Sequence, residues 1–393
     1  MRSLFICVTQ FQVLAALSFM KAPENEGKVV DLVLVPPIAQ ETRWLTWLKA
    51  VGCFARIYRL ASAYTKLIEK RDVLHPKKFQ DCYYGYQDYL LGLGKKKRVL
   101  TRVLSRTQYQ STEAVRLSDY HQIIFGSPNP LTQELISIVR RVNPMVELYG
   151  LDEGLGSYLP RAFEMYPELK GVYLFESELA RVKFPVFPLG KLDRPEMHSV
   201  WDAMNQAFGD VLPEIHPGML FFDQWLDMPW TQDLNPQDWK SRPYICYKDH
   251  LIDELRSVFS QHAKGLMYVP HPLQTKEATD HYRAQGFEVL NPECPFPFEF
   301  NWFNPKNKAA LESQDPFWCL TVYSSAVAMP FITMSQPKDL RAVFLMECFK
   351  EAKVIDHYGI DDSVYDLLER IVARYPESIF MPKTEAELES LFH

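Results

Sequence analysis

Short apolar runs alternate along this chain with longer stretches whose apolar positions recur at helical spacing. That alternation predicts an α/β protein built on parallel sheets. In the first half, strands are expected near 3–8, 29–35, 54–59, 121–125, 145–149 and 171–175. Helices are expected near 10–21, 40–51, 98–107, 130–141 and 196–208. The stretch from Pro213 to Pro243 is rich in Pro, Trp and Asp and breaks the pattern, so it reads as a linker. A second alternation follows, with strands at 243–247, 266–270, 287–290, 317–323 and 343–347 and closing helices at 363–374 and 385–392. The expected division is a first domain over 1–225, a second over 240–375, and a terminal helical segment, 376–393, packing back on the first domain. No internal repeat or low-complexity tract interrupts this plan.

Composition narrows the picture. The chain has 393 residues, 47% of them hydrophobic, enough for two sizeable cores. A net charge of -6 argues against bulk nucleic-acid binding, and no basic-aromatic platform for single strands occurs. The seven cysteines (Cys7, Cys53, Cys82, Cys246, Cys294, Cys319 and Cys348) are scattered, with no C-x-x-C pair. Neither a zinc knuckle nor a disulfide framework is expected. Near the N-terminus, Thr9, Gln10 and Gln12 cut the apolar run in two, which fits strand, turn and helix better than a signal peptide. No run reaches the roughly 20 apolar residues of a membrane span, so a soluble, cytoplasmic protein is expected.

In open α/β sheets, ligands bind beyond the carboxyl ends of strands. Several polar motifs fall there. Asp152-Glu153-Gly154 follows the strand expected at 145–149. One of its carboxylates could take a proton from an attacking hydroxyl, its basicity raised by the other. The alternative is a solvated turn with Gly154 at positive φ. His271-Pro272 ends another strand. Pro270 and Pro272 stiffen the backbone, so the imidazole is held where it can serve a phosphate or a leaving group. A capping or core histidine is the plain alternative. Ser324 and Ser325 stand at a strand-to-helix junction, either as an anion site or as an N-cap. Glu299, in an aromatic, proline-rich turn, could accept from a ribose diol or be a surface acid. Gly126, Ser127 and Asn129 form another strand-to-helix turn that either meets substrate or simply starts a helix. Lys95, Lys96, Lys97 and Arg98, continued by Arg102 and Arg106, make a basic stripe. It suits an anionic membrane surface or glycan, or is a solvated helix face. P-loop, G-x-G-x-x-G, H-E-x-x-H, D-x-D and G-x-S-x-G motifs do not occur.

Taken in order, Asp152-Glu153-Gly154, His271-Pro272 and Ser324-Ser325 resemble the D/E-D/E-G, HP and serine-pair motifs of bacterial sialyltransferases. The similarity is to the group of lipooligosaccharide sialyltransferases and capsular polysialyltransferases. The opening LFICVTQFQ is similar to that family's strand-turn-helix start, with Gln10 where a proline is usual. Glu299 matches a glutamate that related enzymes use on the nucleotide ribose. The resemblance implies a GT-B fold of two Rossmann-like domains with parallel sheets facing across a cleft. It implies inverting, metal-independent transfer of sialic acid from CMP-sialic acid to a cell-surface glycan, with no further cofactor. Asp152 would be the base, with Glu153 orienting it. His271 would assist departure of CMP, Ser324 and Ser325 would hold the phosphate, and Glu299 would hold the ribose. The partners implied are a CMP-sugar donor and an oligosaccharide or glycolipid acceptor. Peripheral contact with the inner membrane and a homodimer complete the expectations. Other readings stay open: a transferase for Kdo or another CMP-activated sugar, a nucleotide-sugar epimerase of the same fold, and a non-catalytic glycan- or nucleotide-binding protein.

Overall fold

The computed structural model describes residues 2–35, 42–59, 108–109, 117–126, 130–210, 215, 218–223, 243–260, 265–271, 276–290, 298–304, 307, 316–335, 339–354 and 362–392. The chain divides into two compact units, Met1–Asp210 and Val211–His393.

The first unit holds β1 (Arg2–Cys7), α1 (Gln10–Met20), β2 (Val29–Leu34), α2 (Thr42–Val51), β3 (Arg56–Arg59), β4 (Gln108–Tyr109), β5 (Tyr120–Phe125), α3 (Pro130–Val142), β6 (Glu147–Leu151), β7 (Gly171–Leu174), β8 (Val186–Pro188) and α4 (His198–Phe208). Its sheet runs β4-β3-β2-β1-β5-β6-β7-β8. All neighbours pair in parallel except the short edge strand β4, which is antiparallel to β3. The central strand is nearly all apolar and buried, from Leu4 to Cys7, as expected where both faces of a sheet are covered. Helix α1 is buried from Phe11 through Phe19. A helix apolar all round belongs inside a unit rather than on its surface.

The second unit holds β9 (Gly218–Phe222), α5 (Pro243–Ser260), β10 (Gly265–Val269), α6 (Lys276–Ala284), β11 (Glu288–Val289), β12 (Phe317–Thr321), α7 (Ser325–Thr333), β13 (Leu340–Phe344), α8 (Met346–Glu351), α9 (Asp362–Arg374), β14 (Ile379–Phe380) and α10 (Glu385–Ser390). Its sheet runs β11-β10-β9-β12-β13-β14, every pair parallel. This is the doubly wound order, in which the first strand is central and the chain later crosses to its other side. Setting β4 aside, the first sheet has the same order about β1. Two Rossmann-like units of this kind make a GT-B-type α/β protein.

Three expectations change. The stretch read as a linker contains β9, the central strand of the second sheet, so the second unit begins before residue 225. All five residues of β9 are buried, and a strand covered on both faces shows no alternation. The segment 243–247, expected as a strand, is instead the start of α5. Tyr244, Ile245, Lys248, Leu251, Ile252 and Leu255 are all buried, which is helical spacing, and Pro243 stands at the first position, where its missing N–H costs nothing. The terminal segment belongs to the second unit. Strand β14 extends that sheet beside β13, and Phe392 packs edge-on against Trp318 of β12 at 4.7 Å.

A fully buried ion pair lies at the carboxyl end of β9. Lys248 of α5 donates to both oxygens of Asp223, at 2.9 and 2.7 Å, and the Tyr268 hydroxyl donates to the same carboxylate. Lys248 lies 5.1 Å from the centre of the Tyr282 ring. Breaking a buried pair leaves an uncompensated charge, whereas replacing both members often leaves stability unchanged. Lys248→Met is therefore expected to destabilise the protein by about 3–5 kcal/mol. The double variant Asp223→Asn/Lys248→Met should regain most of that loss, as urea denaturation will measure.

Candidate functional site

The acidic turn is an extension of β6. The Asp152 N–H donates to Tyr173 O at 2.9 Å, so the pairing with β7 runs one residue past the strand. The Asp152 side chain is fully buried. Its Oδ1 accepts from Gly154 N at 2.9 Å. Its Oδ2 accepts from the Tyr158 hydroxyl at 2.5 Å and from Phe175 N at 3.2 Å. Burial pushes its pKa up to about 6, although these three donors and the Glu153 charge pull in opposite directions. The donors oppose the rise by favouring the carboxylate, and the like charge adds to it. Gly154 sits at φ 118, where a side chain would be strained, and opens the short helical turn Leu155–Tyr158 that delivers Tyr158 to Asp152.

Glu153 is half-buried. Its N–H donates to Ser157 Oγ at 3.0 Å, and its Oε2 accepts from Gln12 Nε2 at 3.0 Å. Gln12 is fully buried at the start of α1. Its Oε1 accepts from Val8 N at 2.6 Å and Thr9 N at 3.3 Å, and its own N–H reaches Thr9 Oγ1 at 3.2 Å, forming a capping box. Gly126, just past β5, lies against this amide. A Cβ there would come within 2.2 Å of Gln12 Nε2. Gln12 and Gly126 thus follow β1 and β5, the two strands between which the first sheet reverses its order, and Glu153 stands beside them.

In the second unit, the motif residues follow β10 and β12. His271 is half-buried. Burial lowers its pKa below the ordinary histidine value, and the Asp223 carboxylate partly offsets that. Asp223 adjoins it, because the Asp223 N–H donates to Val269 O at 2.9 Å. Ser324 is the N-cap of α7, its hydroxyl accepting from Ala326 N at 3.3 Å. Ser325 is the first residue of that helix. Thr321 joins the two strands at this end: its hydroxyl donates to Phe222 O at 2.8 Å and accepts from Ser324 N at 2.9 Å. Glu299 lies in the helical turn Phe298–Phe303, which buried asparagines anchor. Asn307 accepts from Ile215 N at 2.8 Å and donates to Asn301 O at 3.3 Å.

The structure therefore gathers Asp152, Glu153 and Gly126 at one end of the first sheet, and His271, Ser324 and Ser325 at the corresponding end of the second. Ser127, Asn129, Pro272, Lys95, Lys96, Lys97, Arg98, Arg102 and Arg106 lie outside the described residues. Sequence reasoning missed Gln12, Tyr158, Asp223 and Lys248. For Asp223 a signal existed, a polar residue directly after an apolar run. Among the described residues, His250, Glu254 and Glu385 form a group with metal-ligand atoms close together, and none of the motif residues belongs to it. No described helix is long and apolar enough to cross a membrane.

No family model and no curated protein matches the sequence. Solved structures match at low identity over the whole chain. MurG of Acinetobacter baumannii is 13% identical, with 100% of this chain and 90% of that one covered and a TM-score of 0.38. The Escherichia coli heptosyltransferase WaaC, with ADP-2-deoxy-2-fluoro heptose, is 12% identical, with 100% and 98% covered and a TM-score of 0.36. Arabidopsis thaliana UGT89C1, complexed with UDP, is 11% identical, with 100% and 89% covered and a TM-score of 0.46. These likenesses are distant, and the fold class stands on the strand order of the two sheets.

The Asp152 pKa gives a sign for stability. Its folded value, about 6, lies above the unfolded value of 3.8. The folded state then holds the proton more tightly, so the contribution is full below the unfolded pKa and lost as pH rises through about 6. Relative to Asp152→Asn, which does not titrate, the parent should lose about 2 kcal/mol of unfolding free energy between pH 4 and 7. Paired urea titrations across that range check it, and parallel curves would remove the assignment.

Proposed function

We propose that the protein is a glycosyltransferase that moves sialic acid from CMP-sialic acid to a hydroxyl of a cell-surface glycan, with inversion and without a metal. The observation that carries this reading is the placement of the ordered motifs. The acidic turn follows β6, His271 follows β10 and the serine pair follows β12, each at a carboxyl strand end where open α/β sheets bind ligands. The donor nucleotide is inferred from the motif resemblance alone.

In this reaction the acceptor oxygen attacks the anomeric carbon as the bond from that carbon to the phosphate oxygen breaks. The bonding pair leaves with CMP, and a base takes the hydroxyl proton. Burial separates the two carboxylates of the turn. Asp152 is enclosed and its oxygens accept from three donors, so it serves to hold the turn. Glu153, half-exposed, takes the acceptor-facing role of base, which reverses the order expected from sequence. His271 carries donor hydrogen-bonding or a proton to the departing phosphate oxygen. Ser324 and Ser325, at the start of α7, receive the phosphate charge. A single phosphodiester carries little charge, so donors of this kind suffice in place of a metal. Glu299 takes the ribose hydroxyls. The acceptor is a lipooligosaccharide or capsular glycan, and the enzyme works at the cytoplasmic face of the membrane.

The test is a donor screen with CMP-sialic acid and CMP-Kdo against galactosides and sialylated acceptors, read by mass spectrometry, with UDP-sugars included for the epimerase alternative. A sialylated product is expected. Product from CMP-Kdo alone, or epimerised UDP-sugar alone, would replace the reading. Glu153→Gln should lower kcat by about 100-fold or more while CMP binding by calorimetry stays within threefold of the parent. His271→Ala should weaken CMP binding and turnover together. Chelator should leave the rate unchanged, and restoration of activity only by magnesium would overturn the metal-free mechanism.

A further inference from the structure

We infer that Gln12 is a positioning residue for Glu153: its buried side-chain amide donates to the Glu153 carboxylate, keeping that group ionised and aimed at the rim of the first sheet. The inference deepens the transferase reading and rests on it for the word catalysis, though the hold on Glu153 does not.

The amide's orientation follows from its partners. Two backbone N–H groups, Val8 and Thr9, point at one end of the side chain, so that end must be the oxygen. The NH2 is then left facing Glu153 Oε2 at 3.0 Å. A donor so fixed favours the carboxylate over the carboxylic acid. The amide cannot swing away at low cost, because turning it would set its NH2 against two other donors inside a fully buried site. Gly126 closes the remaining side. Its missing Cβ is what lets the amide lie across the end of β5.

Among the described residues, Glu153 has titratable neighbours. Its own turn contributes the Asp152 carboxylate and the Tyr158 hydroxyl. Past β7, Glu176 reaches the same turn: its N–H donates to the Tyr158 hydroxyl at 3.3 Å, and its Oε2 accepts from Lys191 at 3.3 Å. From α1 and the end of β5 come the neutral Gln12 and Gly126. The like charge of Asp152 opposes that of Glu153, and the Gln12 donor acts against that repulsion. That is a need a carboxylate base has and a structural glutamate on the surface does not.

Gln12→Glu separates positioning from packing. It keeps the side-chain length and the oxygen that accepts from Val8 and Thr9, and a glutamate also completes a capping box. It replaces the obligatory donor with an acceptor and sets two carboxylates against one another, so that one holds its proton to higher pH. Carboxyl carbon NMR of the full chain, with Glu153→Gln for assignment, should show the Glu153 midpoint raised by about 1 unit or more. With the donor and acceptor found by the screen, kcat should fall about 10- to 100-fold, while donor KM stays within twofold and the thermal midpoint stays near the parent's. An unchanged Glu153 midpoint in the folded variant overturns the hold. A shifted midpoint with kcat within threefold of the parent overturns the catalytic use. Should the parent turn over no donor at all, the transferase reading fails, yet the NMR measurement still decides whether Gln12 holds Glu153. Gly126→Ala is the second variant if Gln12→Glu does not fold, since it displaces the same amide from the other side, and it should shift the midpoint in the same direction.

Discussion

A parallel sheet covered on both faces has no wet surface on which polar chemistry can sit. Strand β9 is buried at all five positions and β1 from Ser3 to Cys7. Functional groups are thereby confined to the ends of strands, and in a doubly wound sheet the chain parts at one place, where consecutive connections leave for opposite sides. Both units obey this constraint. In the first, Gln12 follows β1 and Gly126 follows β5. In the second, Asp223 follows β9, and Thr321 ends β12. These pairs straddle the reversal in strand order, and the acidic turn, His271 and the serine pair stand one strand away or beside them.

The two units bury a carboxylate there in different ways. Asp152 is met by neutral donors only: two backbone N–H groups and the Tyr158 hydroxyl. Such donors satisfy its lone pairs without cancelling its charge, so burial still raises its proton affinity well above the usual carboxylate range. Asp223 is instead met by a whole cation, Lys248, with Tyr268 completing the set. Neutralisation of this kind costs two desolvated ions and gives a rigid joint between α5, β9 and β10. Its place beside His271 means that the one histidine among the motif residues leaves the sheet next to a fixed, matched charge pair.

Much of the fold was legible in the sequence because most strands are short apolar runs bounded by breakers. Those near 3–8, 29–35, 121–125 and 171–175 match observed strands within a residue or so. The failures share a cause: five-residue windows do not carry a period. The run over 218–222 has no alternation to show, since it is covered on both faces. The run over 243–247 shows its 3.6-residue spacing only when followed as far as Leu255. The short edge strands β8 and β14 owe their state to the neighbour they pair with, which no local pattern records. At the site, the acid-glycine turn, the histidine and the serine pair were readable as residues placed after strands. Gln12 and Lys248 were not, because their importance lies in contacts 141 and 25 residues distant in the chain. A buried lysine inside a helix looks, in sequence, like one more solvated charge.

Adjacent acids in a turn invite the reading that either could do the same work, and the geometry argues otherwise. Asp152 still belongs to the extended backbone, as its bond to Tyr173 O shows, and successive side chains of an extended chain point to opposite sides. One carboxylate must therefore go inward when the other goes outward. The inward one meets Tyr158, Gly154 and Phe175 and becomes part of the turn's framework. The outward one reaches the rim, where Gln12 meets it. Gly154, at φ 118, then bends the chain so that Tyr158 can return to Asp152. The order acid, acid, glycine is thus a division of labour set by the pleat of one strand. Exchanging the two acids would move the longer side chain into a cavity fitted to the shorter. It would also leave an aspartate one methylene short of the Gln12 amide.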